Sequence, residues 1–402
     1  MSINITEKNK CCGCGACVQV CSHQAIIMRE DEEGFRYPIV DKVNCVECGL
    51  CEKVCQYVNQ VEKNKETQLA FGGHITNEKV LNESTSGGAF TAIVNEWCDN
   101  DYVIFGAEAD GLNVSHSFIT DKGNLSKFRR SKYSQSVIGN AYADALTFLK
   151  EGRKVLFSGT PCQIAGLRAF LRGKTYENLL TIEVICEGVP SPLFMRKYED
   201  KIRAKYSCGI ATLDYRYKDG DRWDYQVMCA SLDNPNGVTI KCDRWFNPFW
   251  SIWLNHLMSR PSCYQCLYTT SDRVADISLG DLWGVHIYCP DLYNSNKGAS
   301  LIITNTEKGE KIVKSIMGNG FEGRELDFSQ ALKYQGPMRK SISENPLRSE
   351  CMTDLRSSMD YDSIIKKWAK PSSLRLLISK YVWGSNRQKV NWWRFKQVIK
   401  KN

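Results

Sequence analysis

The chain of 402 residues has an ordinary apolar content of 43%, 19 cysteines and a formal net charge of +8. It is long enough for two or three domains, and it carries no uncharged apolar run long enough for a transmembrane helix and no export signal, which points to the reducing cytoplasm. The charge is local: residues 352–402 hold twelve Lys or Arg against three Asp, a local +9, so the body sums to −1 and lacks the extended basic groove that nucleic acid requires.

Cys11, Cys14, Cys17 and Cys21 are spaced x2, x2, x3, and Cys45, Cys48, Cys51 and Cys55 repeat that spacing 34 residues later. Thiolates at these intervals let a tight loop hold three corners of an iron-sulfur cube, while the fourth cysteine of each run reaches the other cube. The expected ligand sets of two 4Fe-4S clusters are therefore Cys11, Cys14, Cys17 and Cys55, and Cys45, Cys48, Cys51 and Cys21. Disulfides do not suit an odd number of cysteines in a chain without a signal stretch, and zinc favours two separated pairs over three cysteines at x2, x2. Cys12 falls outside the spacing and reads as a bystander. Ser22 and Gln56 stand where a proline commonly follows the fourth cysteine, a departure that removes no ligand.

Around these runs, Ala25–Met28 and Phe35–Val40 read as two short strands about an acidic turn, which completes a small bacterial-type ferredoxin domain over residues 1–56. Residues 57–68 form a polar linker. From Leu69 the pattern alternates between strand and helix. Thr85 to Trp97 reads as a helix, Tyr102–Ala107 and Lys154–Ser158 as strands, and Leu179–Ile185 as a strand ending at Cys186; a helix begins near Gln163. Residues 210–242 carry shorter alternating strands and suggest an antiparallel subdomain. Ser300–Thr304 followed by a helix over 307–317 restores the rhythm. The fold class is α/β (α+β overall), with a mixed α/β domain over residues 69–345.

Four further cysteines fall where such a fold places function. Cys162 lies in a strand-to-helix turn, Cys186 just past a strand, and Cys263 and Cys266 form a C-x-x-C clip. In open sheets, ligands bind beyond the carboxyl ends of the strands, so these could face one crevice. Spacing alone leaves a third 4Fe-4S cluster, buried free cysteines and a redox dithiol all open. Cysteines 98, 208, 229, 242, 289 and 351 have no partner at ligand spacing and read as packing.

Ser86-Gly-Gly-Ala, Ser131-Lys-Tyr-Ser-Gln-Ser, Gly159-Thr-Pro-Cys-Gln-Ile, Cys186-Glu-Gly-Val-Pro-Ser, the clip at 263–266 and Ala275-Asp-Ile-Ser-Leu-Gly-Asp-Leu-Trp-Gly resemble, in wording and order, the coenzyme F420 hydrogenase/dehydrogenase beta-subunit family. The resemblance spans roughly residues 69–340, with the dicluster domain fused in front. It implies FAD and a third 4Fe-4S cluster on Cys162, Cys186, Cys263 and Cys266. For the flavin, Ser86, Gly87 and Gly88 at a helix start suit a pyrophosphate, with a plain capped helix as the alternative. Gly159 and Thr160 permit close backbone approach. Lys132 and Tyr133 suit the flavin or a substrate carboxylate, with a lysine simply solvated in a polar loop as the alternative. Asp276 and Asp281 flank a strand and suit ribose, ring nitrogens or turn capping. No G-x-G-x-x-G fingerprint is present, against a standard NAD site, and the five histidines follow no motif and read as structural or surface residues.

These parts imply a cytoplasmic iron-sulfur flavoprotein oxidoreductase that couples two-electron hydride chemistry at FAD to one-electron transfer. F420 or a small organic molecule would be its substrate, and ferredoxin or a partner protein its electron partner. The alternatives are a non-catalytic electron-relay subunit, a setting in polysaccharide biosynthesis that some family members occupy, and a redox sensor. The basic tail, residues 346–402, has helical apolar spacing at 361–368, 374–383 and 391–400. It suits packing on the body or on a partner subunit, with peripheral contact to an anionic membrane as the other reading.

Overall fold

Strands β1 (Ile26–Glu30) and β2 (Arg36–Val40) pair antiparallel with Ile26 opposite Val40, between two short helices, Ala16–Gln19 and Leu50–Lys53, that each follow a left-handed glycine. This is the expected ferredoxin-like unit. It is seen in a computed structural model that describes residues 3–4, 7–64, 66–220, 223–234, 236–369, 374–378, 380, 395 and 398–399.

The main body is an eight-stranded mixed sheet. Its strands are β3 (Leu69–Ile75), β4 (Tyr102–Asp110), β5 (Asn113–Ile119), β6 (Lys154–Gly159), β7 (Leu179–Val184), β11 (Ile277–Asp281), β12 (Ser300–Thr304) and β13 (Phe321–Leu326). A separate three-stranded antiparallel sheet holds β8 (Ile210–Tyr217), β9 (Val227–Leu232) and β10 (Thr239–Cys242), as the shorter alternation over 210–242 predicts. The large sheet runs β13-β3-β12-β11-β7-β6-β4-β5, with β4, β6, β7 and β11 parallel and β5, β12 and β13 reversed. Helices cover both faces, so the central strands read as unbroken apolar runs: Val155, Leu156 and Phe157 are wholly buried, and Phe157 stacks on Phe105 at 5.3 Å.

The carboxyl ends of β6, β7 and β11 lie side by side and deliver Gly159, Cys186 and Asp281 to one edge of the sheet. The helix after β6 starts at Pro161, two residues before the expected Gln163, because Thr160 and Gln163 close a capping box. The helix expected from Thr85 starts at Ala89. Gly88 before it sits at φ +80, a left-handed conformation that ends the preceding turn rather than continuing into a helix.

The ferredoxin-like unit shares its core with the body: Ala16, Cys17, Ile26 and Val54 pack with Tyr142, Ile164 and Ala165. Gln19 accepts from the free amides of Tyr142 and Ala143, and so caps the helix Ala141–Lys150 from outside its own chain segment. Gly166 lets the two parts close up, since a Cβ there would stand 3.0 Å from Cys14 Cβ. Described residues of the 57–68 stretch lie against the body: Asn64 bonds Arg273 O and Ala275 O, and Gln68 bonds Ser271 O and Asn305.

Helices Arg348–Arg356 and Tyr361–Trp368 bury Met352, Leu355, Tyr361 and Ile364 against helix Leu193–Tyr206 and helix Pro248–Trp253. Of the expected helix over 374–383, only Leu374–Ile378 and Lys380 are described, and the stretch 391–400 lies outside the described residues apart from 395, 398 and 399. No helix among the described residues is long and apolar enough to cross a membrane.

Candidate functional site

Three groups of thiols are brought together. Cys11, Cys14, Cys17 and Cys55 lie close enough that a charge on one disfavours a charge on the others. Burial raises the Cys11 thiol to about 11, opposed by the Arg260 guanidinium, and raises Cys17 as well. Cys14 is lowered to about 7 by a hydrogen bond from Cys12, against its burial, with help from the Ala16 N–H, the Gln56 carboxamide and the Arg260 charge. A second cavity is bordered by Cys21, Cys45, Cys48 and Cys51. Cys55 thus lies near the first run and Cys21 beside the second, while Cys51 also lies near Cys17 and Cys55. Cys48 is exposed, so the second group opens to solvent.

Cys162, Cys186, Cys263 and Cys266 border a cavity of about 350 Å³. They come from three separate segments: the first turn of a helix, the exit of β7 and the short 3-10 helix Pro261–Gln265 with the residue that ends it. Burial raises Cys186, takes Cys263 to about 12 and Cys266 to about 11, and the neighbouring sulfurs add to each shift. Cys162 moves the other way, because Cys12 and then Thr160 hydrogen-bond to it, with the Thr160 hydroxyl at 3.2 Å. Crowded buried thiols are held at a cost that cationic iron removes, and thiolates are the form that ligates. Cys12, which reads as a bystander in the sequence, borders this cavity and reaches both Cys14 and Cys162.

Arg273 fixes the loop that carries the clip. Its buried guanidinium pairs with buried Glu183 on β7 and donates to Tyr268 O at 2.8 Å and Thr270 O at 3.1 Å. Ser278 adds a 2.7 Å bond to the same Glu183 oxygen.

The residues proposed for the flavin divide. Gly159 and Thr160 form the turn that aims Cys162, with the Thr160 N–H donating to Gln163 Oε1 at 2.9 Å. Buried His116 lies beside Gly159, bonded to Ser158 O and Ser136 Oγ, each at 2.9 Å, and burial lowers it to about 4. Ser86 donates to Ala299 O at 2.6 Å, and a Cβ on Gly87 would meet Gly73 O at 2.2 Å. This glycine pair thus packs the chain onto β3. Lys132 donates to Lys127 O and Arg129 O, and burial lowers it to about 8. Asp276 caps the far end of β11, accepting from Thr181 and Thr306.

Tyr133 and Asp281 meet through a residue that the motifs do not mark. Arg216 on β8 donates from Nη1 to Asp281 Oδ2 at 2.8 Å and lies 3.4 Å from the Tyr133 hydroxyl. Its side chain is 3% exposed, its guanidinium lies over the Trp283 ring, and Nε and Nη2 have no partner among the described residues. Glu187, raised by burial, borders the third cavity and also acts electrostatically on Tyr133, so it stands between the two places.

A ferredoxin-like cysteine unit built against an α/β sheet with further thiols at its carboxyl edge defines an iron-sulfur electron-transfer protein. Residues 152–323 match the family model for the C terminus of the coenzyme F420 hydrogenase/dehydrogenase beta subunit, and residues 10–59, in front of it, match the model for a 4Fe-4S dicluster domain. Among solved structures, a chain of the F420-reducing [NiFe] hydrogenase complex from Methanosarcina barkeri is similar at 14% identity and a TM-score of 0.42, over 76% of this chain and 91% of that one. No curated protein matches.

Proposed function

We propose that the chain is an iron-sulfur flavoprotein oxidoreductase holding three 4Fe-4S clusters and one FAD, with F420 or a small organic molecule as substrate and ferredoxin or a partner protein as electron partner. The observation that carries the reading is the convergence of Cys162, Cys186, Cys263 and Cys266 on one cavity beside the Cys11 group. Thiolate donors suit iron-sulfur clusters, and the three sets would hold one cube each. For the flavin, the supporting feature is Arg216, whose two unpartnered N–H groups beside Asp281 and Trp283 fit an anionic or carbonyl group of a bound cofactor. When bound, FAD supplies the exchange between two-electron and one-electron carriers. The chain's own contribution is positional: Asp281 orients Arg216, Glu187 lies between Tyr133 and the thiol cavity, and Cys48 leaves the second cluster site open toward a partner.

A relay subunit without flavin is the second reading, favoured by one observation: at the stretch expected to meet a pyrophosphate, the Ser86 hydroxyl bonds Ala299 O and Gly87 packs closely on β3. Iron and flavin analysis of the anaerobically reconstituted chain separates the two. The first expects about twelve Fe, for three cubes, and one FAD. Twelve Fe without flavin leaves the relay, and eight Fe without flavin refutes both readings of the third site.

A further inference from the structure

Two residues that no cluster needs as ligands join the first thiol group to the third. Gln56 follows Cys55 directly, where ferredoxin runs commonly place proline. Its side chain belongs to a residue only 1% exposed; Nε2 donates to Cys162 O at 2.9 Å and Oε1 accepts from the Tyr268 hydroxyl. Proline could make none of these bonds. Cys12, buried and two residues before Cys14, borders the same cavity as Cys162. Around them, buried Arg260 donates to Cys11 O at 2.9 Å, lies 3.8 Å from Cys11 Sγ and donates to Gln135 Oε1 at 2.9 Å, while Gln135 donates to Cys12 O at 2.8 Å. One set of hydrogen bonds therefore ties residue 56 to residue 162 through Gln56 and Tyr268, a second ties residues 11 and 12 through Arg260 and Gln135, and Cys12 borders the cavity beside Cys162. No corresponding bond among the described residues ties the second thiol group to the third.

We propose that Gln56 and Cys12 are junction residues that fix the first and third cluster sites against each other: Gln56 ties the segment of Cys55 to that of Cys162 by a direct hydrogen bond, and Cys12 fills the space beside Cys162. The inference rests on the three-cluster reading above. Its consequence is an order within the ferredoxin-like unit. The site of Cys11, Cys14, Cys17 and Cys55 is the one coupled to the third, and the site of Cys21, Cys45, Cys48 and Cys51 is left facing outward.

The test uses the full chain, reconstituted anaerobically with iron and sulfide, and reads iron content with the low-temperature electron paramagnetic resonance of the fully reduced protein. Wild type is expected to hold about twelve Fe, for three cubes, and to show signals split by interaction between neighbouring reduced clusters. Cys186→Ser is expected to remove four Fe, for one cube, and to simplify the signal of the first site while leaving that of the second unchanged. Gln56→Pro and Cys12→Ala are expected to keep the full iron content and to reduce the splitting by more than half. Gln56→Glu, which keeps the shape but cannot donate to Cys162 O, gives the same result if the proline variant folds poorly. Full iron content with wild-type splitting in Cys12→Ala and in the Gln56 variants overturns the junction and leaves the three-cluster reading standing. A wild-type count near eight Fe refutes that reading, and the junction with it.

Discussion

Replacing Arg273 tests how the third cysteine site is held. Arg273 and Glu183 are 2% and 0% exposed at their side chains, and the pair links the loop carrying Cys263 and Cys266 to the strand that ends before Cys186. Arg273→Met leaves the Glu183 carboxylate buried with only the Ser278 hydroxyl as partner, and strips donors from Tyr268 O and Thr270 O. Breaking a buried pair by removing one partner costs about 3–5 kcal/mol, because the remaining charge keeps its desolvation penalty. Adding Glu183→Gln removes that charge. The remaining loss is then the two carbonyls, about 1–3 kcal/mol each if left fully unpaired and less once the loop relaxes toward water. The double variant is therefore expected to be more stable than Arg273→Met alone. Anaerobic urea denaturation of wild type, both single variants and the double variant gives the coupling energy directly. Iron retention on chelator challenge should fall first by one cluster's worth in Arg273→Met. A loss below about 1 kcal/mol in the single variant, or strict additivity in the double, would refute the role given to this pair.

Buried His116 makes stability fall with acid. Its folded value of about 4 lies below the ordinary 6.5, so between these limits the unfolded chain takes up a proton that the folded chain refuses. The loss begins as pH drops through 6.5, is complete near 4 and amounts to about 3 kcal/mol; His116→Gln should flatten that part of a stability–pH profile. Gly88→Ala combines the left-handed backbone at φ +80 with a Cβ 2.7 Å from Ile75, whereas Gly152→Ala, at φ +84 with nothing within 4 Å, carries the backbone cost alone. Backbone strain of about 1–2 kcal/mol applies to both, and overpacking adds about 1–3 kcal/mol to the first. Denaturation midpoints should rank them accordingly, and equal losses would count against the packing role of Gly88. Arg216→Met should lower flavin content in reconstituted protein while leaving iron unchanged; full flavin occupancy in that variant removes Arg216 from the cofactor site.

The parts of the fold that were legible in the sequence depend on neighbours a few residues apart. The x2, x2, x3 runs, the apolar strands Val155–Phe157 and Leu301–Ile303, and the alternation in β8–β10 all express local geometry, and each element is present. What spacing could not reveal is held by contacts between distant segments. Arg260 reaches Cys11 across 249 positions, and Tyr268 reaches Gln56 across 212. Arg216 lies on a strand of the smaller sheet, 83 positions from Tyr133 in the chain, yet lies 3.4 Å from its hydroxyl. No periodicity marks such residues. The one local signal was Gln56 standing where proline is usual, and it looks neutral until the partner 106 positions away is in view.

The Ser84–Gly88 stretch shows why a motif underdetermines chemistry even when its residues are read correctly. A serine and two glycines before a helix satisfy two physical demands equally well: backbone amides open to an anion, or backbone that another strand must approach closely. The sequence contains the glycines but not the strand. In the folded chain, a Cβ at Gly87 would meet Gly73 O at 2.2 Å and Ser300 N at 2.5 Å, so neighbouring strands β3 and β12 occupy the space that a side chain would need. Lys218, lowered to about 7 by burial, donates to Ser86 O at 2.6 Å, and Trp223 Nε1 donates to Thr85 O at 3.0 Å. Among the described residues, Arg216, which pairs with Asp281, also has side-chain donors without a partner. If the chain holds a flavin, a charged contact from Arg216 on β8 of the smaller sheet would add to what the backbone of the motif supplies, from a strand whose alternation signals only its fold.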